Sequence, residues 1–352
     1  MKICIYGAGA IGGCLAVGLA GVEGVTVSAI ARRAHLEAIR DRGLSLDRAG
    51  RRETVFVRAT EDPGEIGPQD YVIVCLKAHQ AWQVADRMTP LLHDDTAVVT
   101  CQNGVPWWYF HALGGPFEGR RIHAADPGGR QWREIGPERV IGCAVYPAAE
   151  ISEPGVIRHV FGDKFALGEP DGTLSDRCRR LSEAIAAAGF QSVAVADIRS
   201  EIWLKLWGSV SFNPISTLTR ATLDRVGAEP ATRQLVRAMM TEAEAIATRL
   251  GATFRVDMER RINAVASVGP HRTSMLQDLE RGRTLEIDAL VTAVRELGQM
   301  VGVKTPTIDV VFGLLCQLAA VKGLYPAFPD NVSDPAFGIA REENADRRDG
   351  PA

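Results

Sequence analysis

Beyond its first 22 residues the chain has no run of about 20 apolar residues, so no membrane-spanning helix is expected. It has no excess of either charge: 40 Lys and Arg against 43 Asp and Glu leave a formal net charge of −3. That balance excludes the basic field a nucleic-acid binder needs, and no polybasic patch suits a membrane surface. None of the seven cysteines (4, 14, 75, 101, 143, 178 and 316) forms a Cys-x-x-Cys pair, and the seven histidines show no ligand spacing. A metal centre and a disulfide framework are therefore not expected, and the thiols read as buried and reduced. No internal repeat is present in the 352 residues, a length that favours two domains over a single core. The uncharged stretch from Ile3 to Val22, preceded by Lys2, imitates a secretory signal. Glycines at 7, 9, 12, 13, 18 and 21 weaken the apolar helix that such a signal requires. A cytoplasmic protein is expected.

What the chain does have begins at once. An apolar run from Ile3 to Tyr6 leads into GAGAIGG, in which Gly7, Gly9 and Gly12 take the spacing Gly-x-Gly-x-x-Gly. A strand that turns through glycines into a helix is how a Rossmann unit receives a dinucleotide pyrophosphate. The first glycine allows the tight turn, the second lets the backbone approach the phosphates, and the third permits close helix–strand packing. The amides that open the helix, at Ala10 and Ile11, would face the anion. Three glycines alone are weak evidence among 35. Their place behind the first strand makes the motif strong. The next strand, residues 25–30, ends in Ala31-Arg32-Arg33, and no carboxylate appears until Glu37. An NAD-preferring unit puts an acid there to accept from the ribose 2′-hydroxyl. Arg32, 20 residues after Gly12, could instead clamp a 2′-phosphate. NADPH/NADP+ is the expected cofactor, although two arginines after a strand can also be plain solvated side chains.

The pattern predicts an α/β fold: a Rossmann-type dinucleotide-binding domain over 1–196, an all-helical domain over 197–328, and a loosely packed tail over 329–352. Residues 70–76 and 96–101 are near-continuous apolar runs, as in parallel strands covered on both faces. Short strands are expected near 44–46 and 54–57, and later ones at 141–145 and 155–160, with 164–168 pairing with the last of these. A helix over 176–189 precedes a final strand at 191–195. Apolar residues then recur at helical spacing over 233–250 and 287–301, and Thr305-Pro306 reads as the cap of a further helix. Its apolar face, 310–321, would suit a homodimer contact. Ligands of doubly wound sheets lie beyond the carboxyl ends of the strands. Lys77-Ala78-His79-Gln80 and Gln102-Asn103-Gly104 are thereby placed at the cofactor mouth.

Hydride arriving at a carbonyl carbon leaves negative charge on oxygen, so a reductase needs a cation or proton donor there. Lys205, Ser209 and Asn213 are spaced i, i+4 and i+8 and line one face of a helix, with Pro214 marking a kink or an end just after. The same stripe is equally well the wet face of an amphipathic helix. The chain resembles the ketopantoate reductase family over residues 1 to 325. The likeness rests on GAGAIGG, LKAHQ at 76–80, QNG at 102–104, EIWLKL at 201–206 with NP at 213–214, and TSMLQDLERGRTLEID at 273–288. It implies a C-terminal domain like that of 6-phosphogluconate dehydrogenase and NADPH-dependent reduction of a small-molecule 2-oxo acid. It further implies Lys205 as catalytic acid, with Glu286 beside it and Asn103, Ser209, Asn213 and Ser274 lining the substrate. Arg32, Lys77, Gln80 and Asn103 would serve the cofactor side.

Glu286 could hold Lys205 or bind a substrate hydroxyl, and Ser274 could donate to the substrate carboxylate. The plainer roles are a first-turn acid for Glu286 and a cap for Ser274. Two positions depart from the family pattern. Ser209 stands where pantoate-forming members carry asparagine, and Leu223 where they often carry a polar residue. The aromatic segment 106–110 reads as core, as a lid, or as the wall of a pocket for a bulkier substrate. The expected reaction is 2-dehydropantoate to (R)-pantoate. The rivals are a paralogue acting on a bulkier or more apolar 2-oxo acid and a non-catalytic NADP(H) sensor.

Overall fold

The computed structural model describes residues 1–325. The expected tail at 329–352 and the end of the helical span, 326–328, lie outside the described residues. The first half opens as β1 (Lys2–Tyr6), α1 (Ala10–Ala20), β2 (Thr26–Ile30), α2 (Arg33–Arg42), β3 (Leu44–Arg48), β4 (Arg51–Val55) and β5 (Arg58–Thr60). It continues through β6 (Tyr71–Val74), α3 (Ala78–Ala81), β7 (Ala97–Thr100), α4 (Arg130–Glu134) and β8 (Val140–Val145). Then come β9 (Ala148–Glu153), β10 (Val156–Phe161), β11 (Lys164–Gly168), α5 (Asp176–Ala187) and β12 (Gln191–Ala194).

Eight strands form one sheet in the order β12-β11-β8-β7-β6-β1-β2-β5. All neighbours run parallel except β8 and β11. Every residue of β6 and β7 is buried, as their apolar composition requires of strands covered on both faces. A second sheet, β4-β3-β10-β9, lies against the other side of α1. A Cβ on Gly13 of α1 would come within 2.5 Å of Ile157 in β10. This packing explains the signal-like N-terminus. A helix flanked by two sheets has no use for charge.

The pairing expected of 164–168 with 155–160 is not found. β11 lies between β8 and β12, while β10 pairs with β3 and β9. The burial patterns give the reason. Phe165 to Gly168 are buried throughout, which suits a covered sheet, whereas β10 is exposed or half-exposed from Arg158 onward. β5 and β9 fall outside the strands expected from the sequence.

The second half contains α6 (Ile198–Thr219), α7 (Leu223–Ala228), α8 (Pro230–Arg249), α9 (Met258–Ala266) and α10 (Ser274–Glu280). A π-helical turn (Asp288–Thr292) then leads into α11 (Ala293–Val301), and α12 (Pro306–Val321) follows. No strand follows β12 among the described residues. Asp197 caps α6, accepting from the Ser200 amide at 3.0 Å. Pro214 does not end this helix, which continues to Thr219 and closes on Arg220 in the left-handed region. Buried packing of Phe212, Pro214, Ile215 and Ser216 outweighs the one missing backbone donor. Thr305 stands at the N-cap position of α12 with Pro306 first in the helix, as expected, but its side chain does not cap the amides. Glu242 of α8 does so, accepting from the amides of Thr307 and Ile308 at 2.8 and 2.9 Å, while the Thr305 hydroxyl turns to Asp309. Val310, Leu314 and Val321 of α12 are exposed.

The aromatic segment 106–110 is core. Trp107, Trp108, Tyr109 and Phe110 are buried in one cluster that runs from Val72, Val98 and Val140 of the sheet to Trp203 and Phe212 of α6. Trp108 donates to Thr100 at 2.9 Å, and Trp203 donates to the Tyr109 hydroxyl at 2.7 Å. Each buried aromatic side chain contributes on the order of 2–3 kcal/mol through apolar burial.

Candidate active site

The glycines of the first turn do different jobs. Gly7 has φ +102°, and a Cβ there would meet the Leu76 side chain at 2.7 Å. A Cβ on Gly12 would fall 2.1 Å from the Gly7 carbonyl. Around Gly9 the protein leaves space, with nothing within 4 Å of a built Cβ. As N-cap of α1, Gly9 provides no side-chain cap, so the amides of Ala10 and Ile11 are left without one. At the end of β2, Arg32 is exposed and enters no ion pair among the described residues. Arg33 beside it has φ +55°, uncommon for a residue with a side chain.

Facing this edge, α6 buries Trp203, Leu206 and Trp207 and leaves Lys205, Ser209 and Asn213 half-buried. Lys205 Nζ donates to Asn103 Oδ1 at 2.7 Å, across the boundary between the two halves. The QNG loop that carries Asn103 is held on both sides. Gln102 donates to the Leu76 carbonyl at 3.3 Å, and the Val105 amide donates to Ala289 of the π-helical turn at 2.9 Å. Gly104 has φ +91°, and a Cβ there would lie 2.2 Å from the Ala289 carbonyl. Only glycine permits this approach.

Burial pulls the Lys205 ammonium down to about 8; Cys143, Glu286 and Cys101 act upward, and Arg261 acts downward. Glu286 is buried but does not bond Lys205. Its Oε1 accepts from the Ala78 amide at 3.1 Å, where α3 begins. Burial raises the Glu286 carboxyl above its ordinary range, with Lys77 the chief opposing influence. Lys77 itself is ion-paired with Asp278 of α10, a second link between the halves. Burial likewise raises Asp278 against the pull of Lys77. The LKAHQ segment, residues 76–80, and α10 are thus clasped together.

The remaining expected site residues are less engaged. The Ser209 hydroxyl bonds back to the Lys205 carbonyl at 3.3 Å, and the Asn213 amide has no hydrogen bond among the described residues. Gln80 is half-buried, and its backbone amide donates to the Lys77 carbonyl at 2.9 Å. Ser274 is exposed on the first turn of α10, and the cap is its neighbour Thr273, which accepts from Leu276 at 3.2 Å. Leu223 is buried in the core. Burial holds His79 neutral, down to about 4. Arg261 of α9, near Lys205, was not anticipated. It stands next to Arg260, and nothing in the sequence tells which of the two turns inward.

Among the described residues no helix is long and apolar enough to cross a membrane, and no cluster of three or more His, Cys, Asp or Glu is arranged to hold a metal. Two family descriptions match the chain: "Ketopantoate reductase PanE/ApbA" over residues 3–172 and "Ketopantoate reductase PanE/ApbA C terminal" over residues 197–319. A 2-dehydropantoate 2-reductase from Mesorhizobium japonicum is 55% identical over 325 residues, covering 92% of this chain and all of that protein. A 2-dehydropantoate 2-reductase from Archaeoglobus fulgidus is 27% identical, covering 86% of this chain and 92% of that protein. The solved structure of a candidate ketopantoate reductase from Ralstonia solanacearum MolK2 superposes with a TM-score of 0.86 at 43% identity, covering 92% and 99% of the two chains.

Proposed function

Because the chain belongs to the ketopantoate reductase family, we propose that it reduces a 2-oxo acid to the 2-hydroxy acid with NADPH, converting 2-dehydropantoate to (R)-pantoate. It is an oxidoreductase of that family. The substrate pair is supported by the name of the 55% identical Mesorhizobium protein. The observation that carries the reading is the 2.7 Å bond between Lys205 and Asn103, which joins an ammonium of the helical half to the carboxyl edge of the sheet.

The residues present fit a phosphorylated dinucleotide. The open face of Gly9, the start of α1 without a side-chain cap, and the unpaired Arg32 are what a pyrophosphate and a 2′-phosphate require. A dinucleotide held there would supply the hydride for the carbonyl carbon. The chain supplies the rest. Lys205 donates to the ketone oxygen and then gives up its proton as negative charge develops. With a pKa of about 8 it is still mostly charged at neutral pH, yet it releases a proton more readily than a free lysine. Asn103 holds it in line, and buried Glu286 favours its charged form. Ser209 and Asn213 lie one and two turns beyond Lys205 on the same helix face, where their side chains can meet a substrate hydroxyl.

Initial rates over a panel of 2-oxo acids with NADPH and with NADH test this reading. If 2-dehydropantoate is reduced much more slowly than an aryl or branched-alkyl 2-oxo acid, the pantoate assignment falls. A bulkier substrate retains one argument, the short Ser209. The other two weaken, since Leu223 and residues 107–110 are buried in the hydrophobic core.

A further inference from the structure

Arg261 is half-buried, and its Nε is shut off from water without a hydrogen-bond acceptor. Its guanidinium makes no ion pair or hydrogen bond among the described residues. Other half-buried arginines are satisfied. Arg177 forks onto Glu169 at 2.8 and 2.7 Å, and Arg199 donates to the carbonyls of Tyr109, Pro170 and His111. An unpaired guanidinium out of water is costly, and such cost is tolerated where a ligand supplies the missing anion.

The surroundings say where that anion would lie. A Cβ on Gly208 would be 3.6 Å from Arg261 Nη2 and 3.7 Å from Nε, so the guanidinium rests over the bare backbone of α6. Gly208 is three residues, about one turn, beyond Lys205. Neither buried acid of this region pairs with it: Glu201 is engaged by Lys164 and Arg255, and Glu286 by the Ala78 amide. Two cations therefore sit beside the same stretch of α6: Lys205, bonded to the neutral amide of Asn103, and the Arg261 guanidinium, unbonded among the described residues.

We propose that Arg261 binds the substrate carboxylate while Lys205 takes the adjacent ketone oxygen. The proposal rests on the reductase reading above and deepens it. A 2-oxo acid carries its ketone and carboxylate on adjacent carbons, so it calls for two cationic donors side by side. A guanidinium meets a carboxylate with two parallel hydrogen bonds, which an ammonium cannot do. Binding also neutralises a cation that works against the charge on Lys205. The proton donor is thereby more firmly charged when substrate is present.

The experiment compares wild type, Arg261→Gln and Arg261→Lys in the full chain with 2-dehydropantoate and with its uncharged lactone. Arg261→Gln is expected to raise KM for the acid about 30-fold, the loss of a charge-assisted fork. KM for the lactone and for NADPH should stay within about twofold, and the alkaline limb of kcat/KM should move to higher pH. Arg261→Lys should recover part of the acid KM. If Arg261→Gln does not fold, the lysine variant, which keeps charge without the fork, carries the comparison with a smaller rise. An unchanged acid KM, or equal losses for acid and lactone, overturns the assignment.

Calorimetric titration of 2-dehydropantoate into the NADP+-loaded protein reads binding without turnover. Binding that depends on Arg261 in a protein that reduces no 2-oxo acid would leave this inference standing and remove the reductase reading. Binding equal in wild type and Arg261→Gln removes the inference alone, and no binding by wild type removes both.

Discussion

On the sheet side of the cleft the working surface is main chain: the turn through Gly7, Gly9 and Gly12, the amide of Ala78, and the close approach of Gly104 to Ala289. On the helical side it is charge, carried by Lys205, Arg261, Glu286 and Asp278, all half-buried or buried. The first wall is shaped by backbone geometry, which a substitution can only deform. The second is tuned by burial and neighbouring charge, which a substitution can shift by degrees without moving the fold. Cofactor affinity should therefore follow the first wall, and proton chemistry the second.

The largest effect expected is from Lys205→Ala. It should lower kcat about 10³-fold, the scale of a lost general acid, while NADPH affinity measured by fluorescence titration stays within about twofold. A parallel loss of NADPH binding would show that the walls are not separable. Gly104→Ala attacks the seam between them. The new methyl would collide with the Ala289 carbonyl at a backbone angle that L-residues avoid, and a loss of about 3 kcal/mol in stability is expected from urea unfolding. A loss below about 0.5 kcal/mol would mean that the loop is not seated as described.

Arg32→Ala comes next. It should weaken NADPH about 30-fold and leave NADH nearly unchanged. Equal losses for the two cofactors would reject contact with the 2′-phosphate. The gentlest test is of pH. Reduction needs Lys205 protonated, so kcat/KM should hold below about pH 8 and fall tenfold per unit above it, while oxidation of the hydroxy acid rises through the same range. A flat profile to pH 10 would contradict the depressed lysine.

The two walls also differed in how far they could be read in advance. The glycine turn, the missing acid at Arg32 and the covered strands β6 and β7 are local patterns, and each followed from residues adjacent in the chain. Lys205 and Asn103 were named from short motifs, but their contact spans 102 residues of sequence and belongs to the packing of α6 on the sheet. Glu286 reads in the sequence as able to hold Lys205 or to bind a substrate hydroxyl; in the fold its Oε1 accepts from the Ala78 amide, where α3 begins. Arg261 escaped notice because MERRINAVA offers two adjacent arginines, and only the docking of α9 beside Gly208 selects one. The second sheet was missed for a similar reason. β9 is half-exposed and contains two glutamates, so its local pattern is weak, and its place depends on β10 and α1.

The position of α1 between two sheets has a thermodynamic consequence. A phosphate-binding helix open to solvent on its outer side can stiffen when a nucleotide arrives, at a cost in entropy. Here α1 is packed so tightly that a Cβ on Gly13 would meet Ile157 and one on Gly12 the Gly7 carbonyl. Packing of this kind leaves the helix little freedom to give up on binding, so slow hydrogen exchange at Cys14 to Val17 should be the same with and without cofactor.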